Sequence, residues 1–84
     1  MLNIQYFASL RETLGRSTET LALPVGVGTV GALAAHLATS RGGPWEILQD
    51  TTQVLVAVNQ TIVDRSHPLS GAEELAFFPP MTGG

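Results

Sequence analysis

One segment of the chain has the repeat of an amphipathic helix, and the shorter apolar segments on both sides must fold around it. Apolar residues recur there at i, i+3, i+4, i+7 and i+8, namely Val30, Leu33, Ala34, Leu37 and Ala38. Thr29 is suited to cap the N-terminus of this helix, and Gly42, Gly43 and Pro44 end it. The pattern therefore predicts one main helix that begins at Val30 and ends before Gly42.

The other regular segments are short and have the composition of β-strands. Leu2, Ile4 and Tyr6 alternate with their neighbours, as in a strand with one buried face. Further strands are predicted at residues 19–23, 54–58, 61–63 and 74–78, with short helical turns at 9–14 and 45–49. The run 54–58 is apolar throughout, which is typical of a central strand covered on both faces.

These elements follow the order strand, strand, helix, strand, short strand, strand. A chain of 84 residues is long enough for one domain, and one helix across one mixed sheet is the α+β solution at this size. A right-handed crossover after the second strand places the first and last strands side by side at the sheet centre. The predicted fold is α+β, a β-grasp (ubiquitin-like) domain over residues 1–78 with a sheet of about five strands, followed by a flexible tail over residues 79–84.

Composition excludes several classes of function. The net charge is −3, and the four basic residues are all arginine, so there is no basic stripe for nucleic acid and no polybasic segment for a membrane. No apolar run approaches the roughly 20 residues that span a bilayer. No export signal is visible after Met1, and a cytoplasmic location is expected. Since the sequence has no cysteine, disulfides, thiolate metal ligands and a thiol nucleophile are excluded.

The segment after the last strand carries the strongest functional signal. Pro79 and Pro80 end strand pairing, and the chain then runs on to Gly83 and Gly84. From Phe78 to Gly84 an extended tail reaches roughly 20 Å, and glycines pass through a channel that admits only backbone. The Gly84 carboxylate becomes an acyl donor once a partner enzyme activates it, for instance by adenylation with ATP. The alternative is a frayed terminus that ends in glycine without a function.

Four segments of the sequence carry a resemblance to a known family. They are residues 57–63 (Ala-Val-Asn-Gln-Thr-Ile-Val), 67–69 (His-Pro-Leu), the opening Tyr6-Phe7-Ala8 with Arg11, Glu12 and Gly15, and the ending 75–84 (Leu-Ala-Phe-Phe-Pro-Pro-Met-Thr-Gly-Gly). In order and length they resemble the small subunit of molybdopterin synthase, the MoaD family. The aromatic and proline run before Gly-Gly is the most specific part. Residues 72–74 (Ala-Glu-Glu) depart from the Asp-containing turn of the family, which concerns turn geometry and not the tail.

The resemblance implies a sulfur carrier that is not catalytic alone. A MoeB-like activating enzyme, similar to ubiquitin E1, would adenylate Gly84 with ATP, and a persulfide source would convert it to a thiocarboxylate. The tail, recognised through Gly83, Thr82, Met81 and Pro80, would enter a MoaE-like large subunit. There its sulfur would pass to cyclic pyranopterin monophosphate and build the dithiolene of molybdopterin, with two charged carriers used per product. A 2:2 heterotetramer is the implied assembly, and this chain itself would bind no cofactor.

Three apolar residues and one arginine are candidates for the interface with these partners. Phe7 and Phe78 fall on the non-core phase of the first and last strands, so adjacent strands would bring both rings into one exposed patch. The alternative is a loop that covers them. Ile62 occupies a position that the resemblance associates with the large-subunit interface, against an ordinary core role. Arg11, and also Arg65, are candidates for pairing with acidic groups of a partner.

The remaining polar residues offer no catalytic constellation. His36 and His67 have no second ligand at metal spacing, and the serines lack a His/Asp arrangement, so neither a metal site nor hydrolysis is expected. Trp45 is predicted to cap the core. Two other functions stay open. The chain could carry sulfur for thiamine biosynthesis or tRNA thiolation, or modify proteins through Gly84. It could also be a non-covalent ubiquitin-like interaction domain whose terminus has no role.

Overall fold

A computed structural model describes residues 1–80 of the chain. In chain order the elements are β1 (Leu2–Tyr6), α1 (Ser9–Leu14), β2 (Thr18–Leu21), α2 (Val30–Arg41), a 3₁₀ helix (Gly43–Gln49), β3 (Leu55–Val58), β4 (Thr61–Val63) and β5 (Glu74–Phe78). The predicted main helix is confirmed with both of its ends. The Thr29 hydroxyl oxygen accepts a hydrogen bond from the Ala32 N–H at 3.1 Å, and the chain leaves the helix at Gly42, where φ is 64°.

The five strands form one mixed sheet in the order β2-β1-β5-β3-β4. β1 and β5 are parallel neighbours, and the other three pairs are antiparallel. The first and last strands therefore lie side by side inside the sheet, with the crossover through α2 between them in sequence. This arrangement confirms the predicted α+β, β-grasp fold.

One apolar cluster lies between the sheet and the helices. Alternate residues of β1 and β5 enter it from the sheet, and the apolar stripe of α2 enters from the other side. Burial of each aliphatic side chain of this kind contributes about 1.5–3 kcal/mol. Trp45 of the 3₁₀ helix is buried at the edge of the cluster, with its ring 5.4 Å from that of Tyr6, as predicted for a residue that caps the core. Within residues 1–80, the twelve-residue α2 is the longest helix, and none there is long and apolar enough to cross a membrane.

Strands β2 and β3 are each shorter than predicted, because each continues only as far as the neighbouring strand with which it pairs. β2 stops at Leu21, which pairs with Leu2 at the start of β1. β3 begins at Leu55, which pairs with Phe78 at the end of β5. Val54 instead donates its N–H to the Asp50 carbonyl in the preceding turn, at 3.0 Å.

The strand predicted at residues 54–58 is largely buried, as expected for a central strand, but helices cover only one of its faces. Val56 and Val58 belong to the core cluster under the helices. Ala57 lines a shallow pocket on the opposite, outer face of the sheet together with Gln5 and Phe7. The outer face of β3 is therefore apolar, although no helix in residues 1–80 packs against it.

The predicted turn at residues 59–60 is a tight hairpin between β3 and β4. Asn59 and Gln60 have φ of 49° and 72°, the left-handed conformation that a two-residue hairpin of this type requires at both positions. Asn59 also joins the turn to β5. Its N–H donates to the Glu74 carbonyl at 2.8 Å, and its side-chain oxygen accepts from the Glu74 N–H at 3.0 Å.

Candidate functional site at the exit of the tail

The tail leaves the domain from a strand that is held on both sides. β5 lies between β1 and β3, and the Phe7 N–H donates to the Phe77 carbonyl at 3.0 Å beside the last residue of the strand. Pro79 and Pro80 follow directly. They have no N–H to donate, so the sheet ladder stops at Phe78. The exit point of the tail is thus fixed by the inner strands, and Pro79 and Pro80 are the first residues beyond them.

Both prolines are half-buried, and they line a groove of about 350 Å³. One wall of the groove is α1, which contributes Ser9, Leu10 and Thr13. The opposite wall consists of residues from the 3₁₀ helix and the turn that follows it, namely Ile47, Thr52 and Gln53. The start of the tail therefore borders the same groove as two separate elements of the domain.

The four residues that end the chain lie outside the described residues. These are Met81, Thr82, Gly83 and Gly84, so their predicted roles in tail recognition and acyl transfer stay predictions. β5 ends at Phe78, and the predicted domain boundary after this residue stays a prediction. Pro80, the remaining residue predicted to take part in tail recognition, lies in the groove.

The predicted aromatic patch lies on the outer face of the sheet. Tyr6 pairs with Phe77 in the parallel register of β1 and β5, so Phe7 and Phe78 follow as neighbours on adjacent strands. Phe7 is 43% exposed and Phe78 is half-buried. Ile62 of β4 is 64% exposed, which contradicts the alternative of a core role. The geometry thus leaves Phe7 and Ile62 accessible to a partner, while their role as contacts is still a prediction.

The two arginines predicted to meet a partner differ in their surroundings. Arg11 lies on the exposed side of α1, where it is accessible as expected. The Arg65 guanidinium donates to the carbonyls of Leu48 and Val54, at 2.5 and 2.9 Å, and desolvation lowers its pKa. Arg65 therefore stabilises the end of the 3₁₀ helix, and its pairing with a partner stays a prediction.

The polar residues of the described part of the chain do not form a metal centre. Among residues 1–80 no group of three or more His, Asp or Glu side chains could hold a metal ion. His36 lies on the exposed side of α2 and His67 in the loop before β5. Within residues 1–80 the arrangement offers an exposed apolar surface and a fixed exit point for the residues that follow β5.

The sequence analysis missed the side chains that border the groove. Thr13, Thr52 and Gln53 had no assigned role, yet they lie beside Pro79 and Pro80. The sequence did contain a local signal for the turn that forms the second wall of the groove. Asp50 precedes Thr52 by two positions, a spacing at which an aspartate commonly accepts bonds from the backbone and closes a turn. Nothing local indicated that this turn faces the tail.

Sheet order, the single long helix and the exit of the tail from an inner strand define a ubiquitin-like β-grasp domain. Comparison with solved structures agrees. A putative molybdopterin converting factor, subunit 1, from Pyrococcus furiosus matches with a TM-score of 0.74 at 24% identity, over 95% of this chain and 97% of that one. At this identity the likeness establishes the fold.

The chain belongs to the ThiS family, whose model matches residues 4–84. It is 39% identical over 84 residues to the molybdopterin synthase sulfur carrier subunit of Escherichia coli, and each chain is covered completely. It is 37% identical, again over the full length of both chains, to the protein of the same name from Haemophilus influenzae. The resemblance to the small subunit of molybdopterin synthase is confirmed.

Proposed function

We propose that this protein is the sulfur-carrier subunit of a molybdopterin synthase, with Gly84 as its reactive group. The observation that carries the proposal is the similarity, over the full length of both chains, to relatives that are named molybdopterin synthase sulfur carrier subunits. The match of the family model extends to residue 84 and so includes the Gly-Gly ending. The position of the prolines at the end of an inner strand supports it.

The chemistry proceeds at the end of the tail. A carboxylate resists nucleophiles until its oxygen becomes a leaving group, and a MoeB-like enzyme supplies this by transferring AMP from ATP to Gly84 with release of pyrophosphate. The terminal sulfur of a persulfide donor then displaces AMP to form an acyl disulfide, and a thiol cleaves its S–S bond, which releases the thiocarboxylate and a disulfide. In the large subunit the thiocarboxylate sulfur bonds to cyclic pyranopterin monophosphate, and water then hydrolyses the acyl–sulfur bond, so that Gly84 returns to a carboxylate.

The domain itself contributes binding and orientation. The outer face of the sheet presents Phe7, Phe78 and Ile62 to the MoaE-like and MoeB-like partners, with Arg11 beside it on α1. Exposed aromatic residues of this kind are common anchors of interfaces. ATP binds to the activating partner and not to this chain. A 2:2 assembly with the large subunit and a cytoplasmic location belong to the same proposal.

The proposal is tested by charging the carrier in vitro. The protein is incubated with ATP, an activating enzyme and a persulfide source, and the C-terminal peptide is then examined by mass spectrometry. The expected result is replacement of one oxygen by sulfur at Gly84. Fragment ions must locate the change, because oxidation of Met81 produces nearly the same mass difference.

Two controls separate the alternatives. A chain that lacks Gly84 must stay uncharged, while a known carrier in the same mixture must be charged. If intact protein stays unmodified beside the charged control, the carrier function is wrong and a non-covalent interaction domain is favoured. If Gly84 is charged but the large subunit forms no molybdopterin with it, the carrier belongs to another pathway.

A further inference from the structure

The turn that forms the second wall of the groove is held by one carboxylate. Asp50 accepts the Thr52 N–H at 3.0 Å and the Thr52 hydroxyl at 2.6 Å on one oxygen. Its other oxygen accepts the Gln53 side-chain amide at 2.9 Å. The Asp50 backbone carbonyl accepts the N–H groups of Gln53 and Val54, at 3.1 and 3.0 Å. Residues 50–54 are thus organised around a single side chain.

This turn is directly connected to the exit of the tail. Thr52 and Gln53, the two residues that Asp50 holds, line the groove together with Pro79 and Pro80. Beyond Phe78 the chain has left the ladder of the sheet, so strand pairing no longer sets the direction in which the prolines leave, and the groove is the part of the domain that they border. The opposite wall, α1, is anchored independently because its Leu10 and Leu14 are buried in the core.

We propose that Asp50 is a positioning residue for the C-terminal tail: by fixing Thr52 and Gln53 in the groove that Pro79 and Pro80 also line, it restricts the direction in which the prolines leave the domain and so favours access of the activating enzyme to Gly84. The inference rests on the carrier function proposed above. A tail that leaves in many directions is productive in only a fraction of encounters, and the apparent affinity falls by that fraction. Once Gly84 is seated in the active site, the chemistry no longer depends on Asp50.

The turn at residues 50–54 keeps the hydrogen bonds to the Asp50 carboxylate at neutral pH. The hydroxyl of Thr52, followed by its N–H, holds the pKa of Asp50 below its usual value, so the carboxylate is ionised wherever the activating enzyme operates. Asp50 therefore acts as a constant support of the groove.

The chain contains a matched control for this role. Asp64 likewise accepts the N–H of the residue two positions on, Ser66, at 2.8 Å, and also the Ser66 hydroxyl. It lies next to β4, two strands from β5, and lines a different pocket, which it shares with Arg65 and with Thr51 and Val54 of the turn at Asp50. Asp64→Ala thus removes the same type of turn without touching the groove. Asp50→Asn is the conservative variant, since its amide oxygen still accepts from Thr52.

The experiment compares wild type, Asp50→Ala, Asp50→Asn and Asp64→Ala by two readouts. The first is the adenylation of the carrier by an activating enzyme, measured as pyrophosphate release. If the productive fraction falls to one fifth, KM for the Asp50→Ala carrier rises about fivefold with kcat unchanged. Asp50→Asn and Asp64→Ala keep a KM close to that of wild type. The second readout is the chemical shifts of the δ-methylene groups of Pro79 and Pro80, which change in Asp50→Ala and not in Asp64→Ala.

The two readouts keep the two proposals apart. A change in KM and in the proline signals that is confined to Asp50→Ala supports the positioning role. Equal effects in Asp50→Ala and Asp64→Ala, or unchanged proline signals, overturn it. If the wild-type carrier is not adenylated at all, the proposed function fails, and the proline signals alone decide whether Asp50 orients the start of the tail.

Discussion

Glu19 and Arg41 are 22 positions apart in the sequence and form a two-point ion pair, in which both terminal guanidinium nitrogens donate to the two carboxylate oxygens at 2.8 Å. The Glu19 side chain is only 7% exposed. It also accepts the Tyr6 hydroxyl at 2.7 Å and the Arg16 guanidinium at 2.8 Å. One carboxylate in β2 therefore joins the C-terminal end of α2 to the sheet.

An aromatic contact continues this network. The Arg41 guanidinium carbon lies 4.3 Å from the centre of the Trp45 ring, and the Tyr6 ring packs edge-on against Trp45 and parallel to Phe77. Desolvation, followed by the hydrogen bond to Glu19, raises the pKa of Tyr6 above its ordinary value. Tyr6 therefore stays neutral and donates to Glu19. Desolvation alone would raise the pKa of Glu19, but the bonds from Arg41 and Tyr6 outweigh it and lower that pKa.

Substitution of Glu19 tests the contribution of this network to stability. Glu19→Gln keeps the shape of the side chain but leaves Arg41 and Arg16 without their carboxylate. We expect the free energy of unfolding to fall by about 1.5–3 kcal/mol, the range for hydrogen bonds to charged groups, as measured by urea unfolding followed through Trp45 fluorescence. Glu12→Gln, at an exposed position on α1, serves as the control. Equal losses in the two variants would contradict the prediction.

A second carboxylate makes the stability of the domain depend on pH. Glu73 accepts the N–H groups of Ser70, Gly71 and Ala72 and the Ser70 hydroxyl, at 2.7 to 3.0 Å. Desolvation alone would raise its pKa, but these bonds, led by those from Ser70 and Gly71, lower the pKa from 4.5 to about 2. Because the folded pKa is the lower one, the stabilisation is complete above 4.5 and is lost as the pH falls toward 2.

The corresponding test compares wild type with Glu73→Gln in urea at several pH values between 6 and about 2. Wild type loses stability across this window, and the variant, which has no charge to neutralise, loses less. After allowance for the partial exposure of Glu73, the difference is on the order of 1 kcal/mol. Glu19 also has a lowered pKa, so some slope remains in the variant. Parallel curves would show that Glu73 does not contribute.

Ala8, between β1 and α1, is strained. Its φ of 54° and ψ of −131° belong to a region that glycine enters readily and alanine does not, at a cost of about 1–3 kcal/mol. Ala8→Gly relieves this strain but adds freedom to the unfolded chain, worth about 0.4–1 kcal/mol. We expect a net gain of roughly 0.5–2 kcal/mol in the free energy of unfolding by the difference of these terms. The control is Ala22→Gly, at a position outside the regular elements and without a positive φ, which should lower the free energy of unfolding. If Ala8→Gly also lowers the free energy of unfolding, Ala8 is not strained.

Gly31 in the first turn of α2 is required by a close approach of two segments. A methyl group at this position would lie 3.0 Å from the Arg65 carbonyl oxygen and 3.2 Å from the Arg65 Cβ, next to the hydrogen bond from the Gly31 N–H to that carbonyl at 2.8 Å. Alanine normally favours a helix by about 1 kcal/mol over glycine. We nevertheless expect Gly31→Ala to destabilise by about 1–3 kcal/mol through overpacking.

Thermal unfolding checks this prediction with a control from the same region. At Gly28 an added methyl group would meet nothing within 4 Å. Gly28→Ala should therefore leave the melting temperature unchanged or raise it. A Gly31→Ala variant as stable as wild type would mean that the loop at Arg65 moves aside without cost.

Phe7 tests the proposed interface on the outer face. Because the ring is 43% exposed, Phe7→Ala should change stability little, while loss of an aromatic anchor should weaken binding of the large subunit by roughly 10–30-fold, about 1.4–2 kcal/mol. Calorimetric titration with the large subunit measures the effect. Val25→Ala is the control, since Val25 is fully exposed in the connector before α2. An equal affinity for both variants would place the interface elsewhere.

The sequence by itself determined the elements whose signals are local. The apolar repeat with its two end signals defined α2, the alternation of Leu2, Ile4 and Tyr6 defined the buried face of β1, and the order of elements was sufficient for the β-grasp topology. The Gly-Gly ending pointed to the function because its chemistry depends on the residues themselves.

Only the tertiary structure decided which side chains meet across the chain. Glu19 forms an ion pair with Arg41, and Arg65 donates hydrogen bonds to two carbonyls. The turn at Asp50 shares a groove with Pro79 and Pro80. None of these relationships has a signal in the sequence. Strand ends were likewise set by partners, as when β3 begins opposite Phe78. The physical reason is that hydrogen bonds and packing depend on positions in space, and segments far apart in sequence acquire these positions only when the whole sheet and helix have assembled.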